Sequence, residues 1–101
     1  MIIISRPEIH EFIKRLPLSA GFLNEWYDRV QKADWSNLDE VKQAWPACNS
    51  IGNDRYVFDM AGNDYRLVAM IYFKNRALYI RKILTDAEYA ELSKKGNLHN
   101  S

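Results

Sequence analysis

The chain has 101 residues, of which 48% are hydrophobic and 13% aromatic, and its formal net charge is +1. This length and apolar content allow one compact domain with a single core. A net charge near zero argues against a protein that binds long duplex DNA through its overall charge. No segment approaches the roughly 20 apolar residues needed to cross a bilayer, so we expect a cytoplasmic protein.

The sequence lacks the parts that several common chemistries require. Its single cysteine, Cys48, excludes an internal disulfide and a zinc site built from several cysteines. Cys48 is either an inert thiol or a nucleophile. His10 and His99 lie far apart, and the chain has neither a Gly-rich nucleotide-binding loop nor a serine hydrolase motif. We therefore expect no metal and no cofactor.

The first part of the chain predicts one strand and two helices. Ile2–Ile4 is expected to be a short buried strand, and Ser5 with Glu8 forms the capping-box pattern of a first helix. A second helix is predicted to begin near residues 19–20, beyond Pro17. Both helices carry an apolar stripe at the spacing i, i+3, i+4 and i+7, formed by Ile9, Phe12, Ile13 and Leu16 and then by Phe22, Leu23, Trp26, Tyr27 and Val30.

A third, shorter helix is predicted where Asn37 and Glu40 form a second capping signal and Pro46 ends the segment. Three tryptophans lie on or beside these amphipathic segments. Two roles are open for them, stacking on nucleobases or anchoring the core, and aromatic rings commonly carry core packing. The three residues are Trp26, Trp35 and Trp45.

The hydrophobic pattern then changes from helical to alternating, after a predicted loop over residues 47–53. Alternating runs at 56–60 and 65–73 predict two strands joined by the hairpin turn Ala61-Gly62-Asn63-Asp64. Residues 77–83 predict another strand, and the run at 65–73 is expected in the centre because both its faces are partly apolar. Thr85 and Glu88 signal a final helix.

The predicted fold class is α+β, with N-terminal helices packed on a small, twisted, mainly antiparallel sheet and a short C-terminal helix. Residues 1–95 are expected to form a single domain, and residues 96–101 a flexible C-terminal tail. Residues 51–83 carry six Lys/Arg against three Asp/Glu, whereas residues 1–50 carry six against seven. The positive charge is therefore concentrated on the predicted sheet.

A cationic and aromatic sheet suits the recognition, and also the cleavage, of a phosphodiester. RNA cleaves itself when its 2′-OH is deprotonated and aligned with the phosphate, and when cations stabilise the developing oxyanion. Arg66 and Arg81 are the candidate phosphate ligands, since a guanidinium offers forked donors that match phosphate oxygens. The alternative for both is a solvated sheet face or an ion pair with Asp59 or Asp64.

Other residues are candidates for contacts with RNA. The tyrosines Tyr79 and Tyr89 either stack on bases and orient a proton or pack in the core. A turn asparagine, Asn63, is most simply explained by its tolerance of left-handed backbone, with a substrate contact as the alternative. The basic residues either supply a non-specific RNA-facing field or are merely solvated. They are Lys74, Arg76 and Lys82.

The chain resembles the HigB-type toxins within the wider RelE-like group, over roughly residues 1–92. The resemblance rests on several motifs that occur in the same order. They are Ile3-Ile4-Ser5-Arg6, Ala33-Asp34-Trp35, Gly52-Asn53-x-Arg55-x-Val57-Phe58, Gly62-Asn63-x-Tyr65-Arg66-Leu67, Tyr79-Ile80-Arg81 and Thr85-x-x-Glu88-Tyr89. It implies the toxin of a type II toxin–antitoxin system, an endoribonuclease that cleaves translated mRNA in the ribosomal A site. It also implies neutralisation by a HigA-type antitoxin with a helix-turn-helix domain.

By position, Asn63, Arg66, Arg81 and Tyr89 match polar or active-site groups of that family. The chain departs from it at Asp86, where family members often carry a histidine in Thr-His-x-Glu-Tyr. An ionised carboxylate suits a base better than an acid, and its charge disfavours nearby RNA, although an Asp at a helix N-terminus also interacts well with the helix dipole.

Two hypotheses follow from this departure. In the first, the chain is an mRNA endonuclease with Arg66 and Arg81 on the phosphate and with Asp86 and Tyr89 near the proton-transfer positions. In the second, it is a catalytically weak or inactive interaction module that binds its antitoxin or ribosomal RNA.

Overall fold

The computed structural model describes residues 1–4, 7–62 and 64–96, which contain four α-helices, five strands and two short 3-10 helices at Pro17–Ser19 and Phe73–Asn75. The predictions for Ser5, Arg6, Asn63, His99 and the tail from residue 97 onward lie outside these residues. In chain order the elements are β1 (Ile2–Ile4), α1 (Pro7–Arg15), α2 (Ala20–Lys32), α3 (Leu38–Ala44), β2 (Cys48–Gly52), β3 (Arg55–Met60), β4 (Tyr65–Tyr72), β5 (Ala77–Thr85) and α4 (Asp86–Lys94).

The strands form one mixed sheet in the order β1-β5-β4-β3-β2. All neighbouring pairs are antiparallel except β1 and β5, which run parallel. The predicted α+β class with a mainly antiparallel sheet is therefore confirmed. The central position predicted for β4 is also confirmed, because β4 lies between β3 and β5.

One face of the sheet is covered by the apolar stripes of the N-terminal helices. Ile9 and Phe12 of α1 are buried, as are Leu23, Trp26 and Val30 of α2. They pack in one hydrophobic cluster with every second residue of the central strands, and this burial of apolar area drives the association of the two layers. The strand residues in that cluster include Phe58, Met60, Leu67, Ala69, Ile71, Leu78 and Ile80.

The three tryptophans surround Phe58, which confirms their role as core anchors. The ring centroids of Trp26, Trp35 and Trp45 lie 5.4, 6.5 and 6.4 Å from that of Phe58. Trp45 is half-buried and donates its indole Nε1 to the carbonyl oxygen of Asp59 at 3.0 Å. Large aromatic side chains with this geometry contribute packing area to the core.

The edges of the sheet differ from the predictions. The predicted loop over residues 47–53 is wrong, because β2 occupies most of it and pairs with β3. Only Cys48 at its start is fully buried, and the exposed Asn49 and Ser50 hide the alternating pattern of a strand. The predicted burial of β1 is also wrong: Ile2 is 65% exposed, because an edge strand of three residues turns only Ile3 toward the helices.

A tight hairpin joins β3 to β4, as predicted. Ala61 and Gly62 both have positive φ, at 51° and 63°, and the amide of Asp64 donates to the carbonyl of Ala61 at 3.2 Å. Positive φ at successive turn positions matches the twist of the flanking strands.

Within the described ranges, no helix is long and apolar enough to span a membrane.

Candidate functional site

The candidate site lies on the sheet face opposite α1–α3, which we call the open face. Strand register defines it: Arg55 lies opposite Met70, Asp59 opposite Arg66, and Met70 opposite Tyr79. Because side chains alternate between the two faces of a strand, these residues all point away from the face that carries Leu67 and Ile71. The open face therefore gathers charged and aromatic side chains from three neighbouring strands.

A β-bulge in β5 brings Arg81 onto this face. Val68 pairs with Lys82, but the next residue, Ala69, pairs with Ile80, so Arg81 is the extra residue of the register shift. Bulges redirect side chains and interrupt strict alternation. As predicted, Arg66 and Arg81 lie on neighbouring antiparallel strands, and the structure places both side chains on the open face.

Arg81 lines a cleft of about 600 Å³ at one end of the open face, which we call the Arg81 cleft. Its aromatic wall is formed by Tyr72 and Tyr79, whose rings meet edge to face at a centroid distance of 5.6 Å. Guanidinium groups beside aromatic rings provide both phosphate donors and stacking surfaces for bases. The cleft is lined by Arg55, Met70, Tyr72, Asn75, Tyr79 and Arg81.

At the other end of the open face Arg66 is held by two carboxylates, in a group that we call the Arg66 cluster. Its Nη1 donates to Asp59 Oδ1 at 2.9 Å and its Nη2 to Asp86 Oδ1 at 3.0 Å. The Arg66 Cζ atom lies 4.6 Å from the ring centroid of Tyr89, a cation–π contact. The predicted alternative of an ion pair with Asp59 is confirmed, and Asp86, rather than Asp64, is the second partner.

The Arg66 side chain is only 18% exposed, and its Nε is buried with no hydrogen-bond partner among the described residues. Burial raises the pKa of the Tyr89 phenol; the Arg66 cation opposes this rise, and the Asp59 carboxylate adds to it. Tyr89 therefore remains a protonated phenol near neutral pH. In chemical terms it is a proton donor rather than a base.

Helix α4 lies over this end of the face, and none of its residues is fully buried. The predicted capping box is confirmed: the amide of Glu88 donates to Thr85 Oγ1 at 3.3 Å, and the amide of Thr85 donates to Glu88 Oε1 at 2.9 Å. Glu88 also accepts from Arg15 on α1 at 2.9 Å. The hydrogen bond from Arg15 is the main reason why the pKa of Glu88 is lowered.

The other predicted RNA-binding residues have different surroundings. Arg76 adopts a left-handed backbone and donates to Asp34 at 2.6 Å and to Ser36 at 3.2 Å, which ties the β4–β5 turn to the loop before α3. Lys74 is exposed in that turn, and Lys82 is half-buried on β5. The structure gives Arg76 a clear structural role and brings neither of the other two into the lining of the Arg81 cleft.

Four cleft residues were missed from the sequence: Arg55, Met70, Tyr72 and Asn75. The positions of Arg55 and Met70 could have been predicted from the hairpin. Pairing the strands outward from the Ala61–Asp64 turn places these two residues opposite each other. No pattern in the sequence indicates the bulge that turns Arg81 toward them.

Cys48 is an inert thiol. It is fully buried, and burial raises the pKa of its thiol to about 12, so almost no thiolate forms near neutral pH. In residues 1–4, 7–62 and 64–96, no group of three or more His, Cys, Asp or Glu side chains is arranged to hold a metal ion.

An α+β fold with its N-terminal helices on one sheet face and a cationic, aromatic surface on the other is consistent with the RelE-like class of small toxins. The chain belongs to the HigB toxin family: residues 19–92 match the model of that family, described as the RelE-like toxic component of a toxin-antitoxin system. The matched range contains both the Arg66 cluster and the Arg81 cleft.

Curated relatives are similar over most of their length. The mRNA interferase HigB of Escherichia coli O6:H1 strain CFT073 is 31% identical, over 93% of this chain and 93% of the relative. The mRNA interferase toxin HigB of Escherichia coli K12 is 25% identical, over 88% of each chain. The mRNA interferase HigB of Shigella flexneri is likewise 25% identical, over 88% of each chain.

Proposed function

We propose that this chain is the toxin of a type II toxin–antitoxin pair and an endoribonuclease that cleaves translated mRNA on the ribosome. Membership of the HigB family and relatives named mRNA interferases support this activity. The observation that carries the proposal is the open face, on which a cationic, aromatic cleft lies beside a cluster of an arginine, two carboxylates and a protonated phenol.

In the proposed reaction the message lies across the open face. Arg81 and Arg55 donate to phosphate oxygens, and Tyr72 and Tyr79 supply the surface on which a base stacks. The 2′-oxygen of the ribose attacks phosphorus, the bond from phosphorus to the 5′-oxygen breaks, and the products are a 2′,3′-cyclic phosphate and a 5′-hydroxyl. The guanidinium groups stabilise the negative charge that develops on the phosphoryl oxygens.

The Arg66 cluster supplies the proton transfers in this proposal. The carboxylate of Asp86 takes the proton of the 2′-OH, and the phenol of Tyr89 gives a proton to the departing 5′-oxygen. In the absence of RNA Arg66 contacts both side chains, which keeps the base and the acid at the same end of the open face, and it stabilises the phenolate that forms on Tyr89. No metal ion takes part in these steps.

We further propose that the partner is a HigA-type antitoxin with a helix-turn-helix domain, and that the message is cut in the ribosomal A site in the cytoplasm. Family membership supports an antitoxin partner. A compact toxin of this size offers few surfaces to a partner. An antitoxin segment that covers the open face would occupy the proposed binding surface of the message and so block its binding directly.

Primer extension on a message translated by purified ribosomes tests the site. Arg81→Gln and Arg55→Gln should each lower the cleavage rate by about 10²-fold or more, because each removes a cation that faces the transition-state charge. Arg29→Gln is the matched control, since Arg29 lies on α2 and pairs with Glu25. Cleavage that survives both cleft substitutions would rule out the cleft, and equal cleavage without ribosomes would rule out ribosome dependence.

A second candidate function is a catalytically weak module that keeps the fold and binds its antitoxin or ribosomal RNA. The ion pair between Asp86 and Arg66 favours it, because Asp86 draws one arm of the guanidinium away from RNA. The same assay separates the two functions. Absence of cleavage by this chain together with cleavage by Asp86→His would establish the weak module, whereas cleavage by the unmodified chain would exclude it.

A further inference from the structure

The two carboxylates on Arg66 are not equivalent. Asp59 lies opposite Arg66 on the neighbouring strand and its side chain is 15% exposed, whereas the side chain of Asp86 is 63% exposed at the first residue of α4. A partly buried pair on a rigid sheet keeps its geometry. An exposed pair is weak and competes with solvent and with other anions.

The Asp86 side chain is also free to leave without unfolding the helix. Its backbone amide donates to the carbonyl of Asp64 at 3.0 Å, and α4 is held by the Thr85–Glu88 capping box and the contact between Glu88 and Arg15. None of these contacts involves the Asp86 carboxylate. A side-chain rotation is therefore enough to expose the Nη2 arm of Arg66.

We propose that the Asp86 carboxylate is an internal substitute for a phosphate group on Arg66, and that a phosphate of the bound RNA exchanges with it. This exchange rests on the proposed function, in which RNA lies on the open face. A guanidinium arm donates to a carboxylate oxygen and to a phosphate oxygen in the same way, so one anion can replace the other on Nη2. Asp59 remains on Nη1 throughout and keeps Arg66 in place.

The exchange has two consequences for the site. The exchange makes the site select against free anions. A small anion must displace the Asp86 carboxylate without help, whereas an RNA phosphate is helped by the contacts that the same RNA makes in the Arg81 cleft. It also releases the Asp86 carboxylate beside the phosphate that displaced it, where the proposed reaction needs a proton acceptor. One ion pair thus couples substrate binding to activation of the base.

Titration with inorganic phosphate, followed by residue-resolved NMR, tests the exchange without RNA. The reporter is the Nε–H of Arg66, which is shielded from solvent and has no partner among the described residues. Asp86→Asn should tighten phosphate binding at Arg66 by about three- to tenfold, the range expected for removal of an exposed ion pair and of one negative charge.

Asp39→Asn is the matched control, because it makes the same substitution in the first turn of α3. It should leave phosphate affinity at Arg66 unchanged. Equal affinities of the unmodified chain and Asp86→Asn would overturn the exchange, as would phosphate shifts confined to Arg55 and Arg81. In the Asp86→Asn protein, phosphate at Arg66 should also shift the backbone amide signals of positions 86 and 87, and adding Arg66→Gln should abolish that response.

The cleavage assay separates this inference from the proposed function. Tighter phosphate binding by Asp86→Asn, with no cleavage of translated mRNA by the unmodified chain, would refute the nuclease and leave the exchange in place. Cleavage by the unmodified chain, with phosphate affinity at Arg66 unaffected by the substitution, would refute the exchange and leave the nuclease in place.

Discussion

Asp59→Asn should destabilise the fold much more than Asp86→Asn, although both substitutions remove a carboxylate from the same guanidinium. Asp59 lies opposite Arg66 within the sheet and is largely buried, whereas Asp86 is exposed at the start of α4. Without Asp59, a cation that is mostly shielded from water keeps only the exposed Asp86 as a charged partner. Without Asp86, the shielded pair persists.

The magnitudes follow from burial. Breaking a fully buried pair costs about 3–5 kcal/mol, and because Arg66 retains Asp86 and an asparagine still accepts a hydrogen bond, about 2 kcal/mol is expected for Asp59→Asn. An exposed pair contributes about 0.5 kcal/mol, which is the expected cost of Asp86→Asn. For 101 residues the unfolding entropy is about 0.2 kcal/mol/K, so the two Tm values should fall by about 10 °C and about 2–3 °C.

Urea unfolding and calorimetry of the three proteins measure this difference. The urea m-value should stay constant, so that the shift of the midpoint reports stability alone. A double-mutant cycle with Arg66→Met should give a coupling energy to Asp59 that exceeds the coupling energy to Asp86. Equal costs for the two asparagine variants, or a cost below about 1 kcal/mol for Asp59→Asn, would refute this account of the Arg66 cluster.

Two further predictions concern the hairpin and α4. Ala61→Gly should raise the free energy of unfolding by about 1 kcal/mol in urea, because Ala61 has a φ of 51°, where a side chain strains the backbone. The control Ala90→Gly, on the exposed helix α4, should lower it by a similar amount. A lower stability of Ala61→Gly would contradict backbone strain at Ala61. Glu88→Gln should make the free energy of unfolding depend less steeply on pH in the acid range. The pKa of Glu88 is lowered from 4.5 in the fold, so its contribution is present above that value and is lost as pH falls through the folded pKa. Thermal melts between about pH 5 and pH 3 should show the same flattening for Arg15→Gln, and unaltered slopes would contradict the contact.

Local sequence signals predicted the elements whose pattern is set by their own residues. The apolar stripes of α1 and α2 have a period of 3.6, and the capping box of α4 needs only Thr85 and Glu88. The hairpin at Ala61 and Gly62 also depends on local turn chemistry. Each of these features persists in the fold because tertiary packing favours the same conformation as the local sequence does.

The edge strands and the site depend on their partners rather than on a hydrophobic pattern of their own. β2 has polar residues because one of its edges has no neighbouring strand in the described sheet, so its strand conformation comes from pairing with β3 rather than from its own pattern. The pair between Arg66 and Asp86 joins residues 20 positions apart. The sequence indicated which residues carry the charge, whereas only the fold shows that Asp86 neutralises one of the two candidate arginines.

The parallel pairing of β1 with β5 sets an order of events during synthesis. Ile2–Ile4 is synthesised well before its hydrogen-bonding partner, Ala77–Leu78–Tyr79, which follows β1–β4 in the chain. Pairing over this sequence separation must await translation of β5, the strand that also carries Arg81, and it closes a long loop late in folding. The open face therefore cannot form in a nascent chain until β5, with Arg81, has been made and has paired with β4.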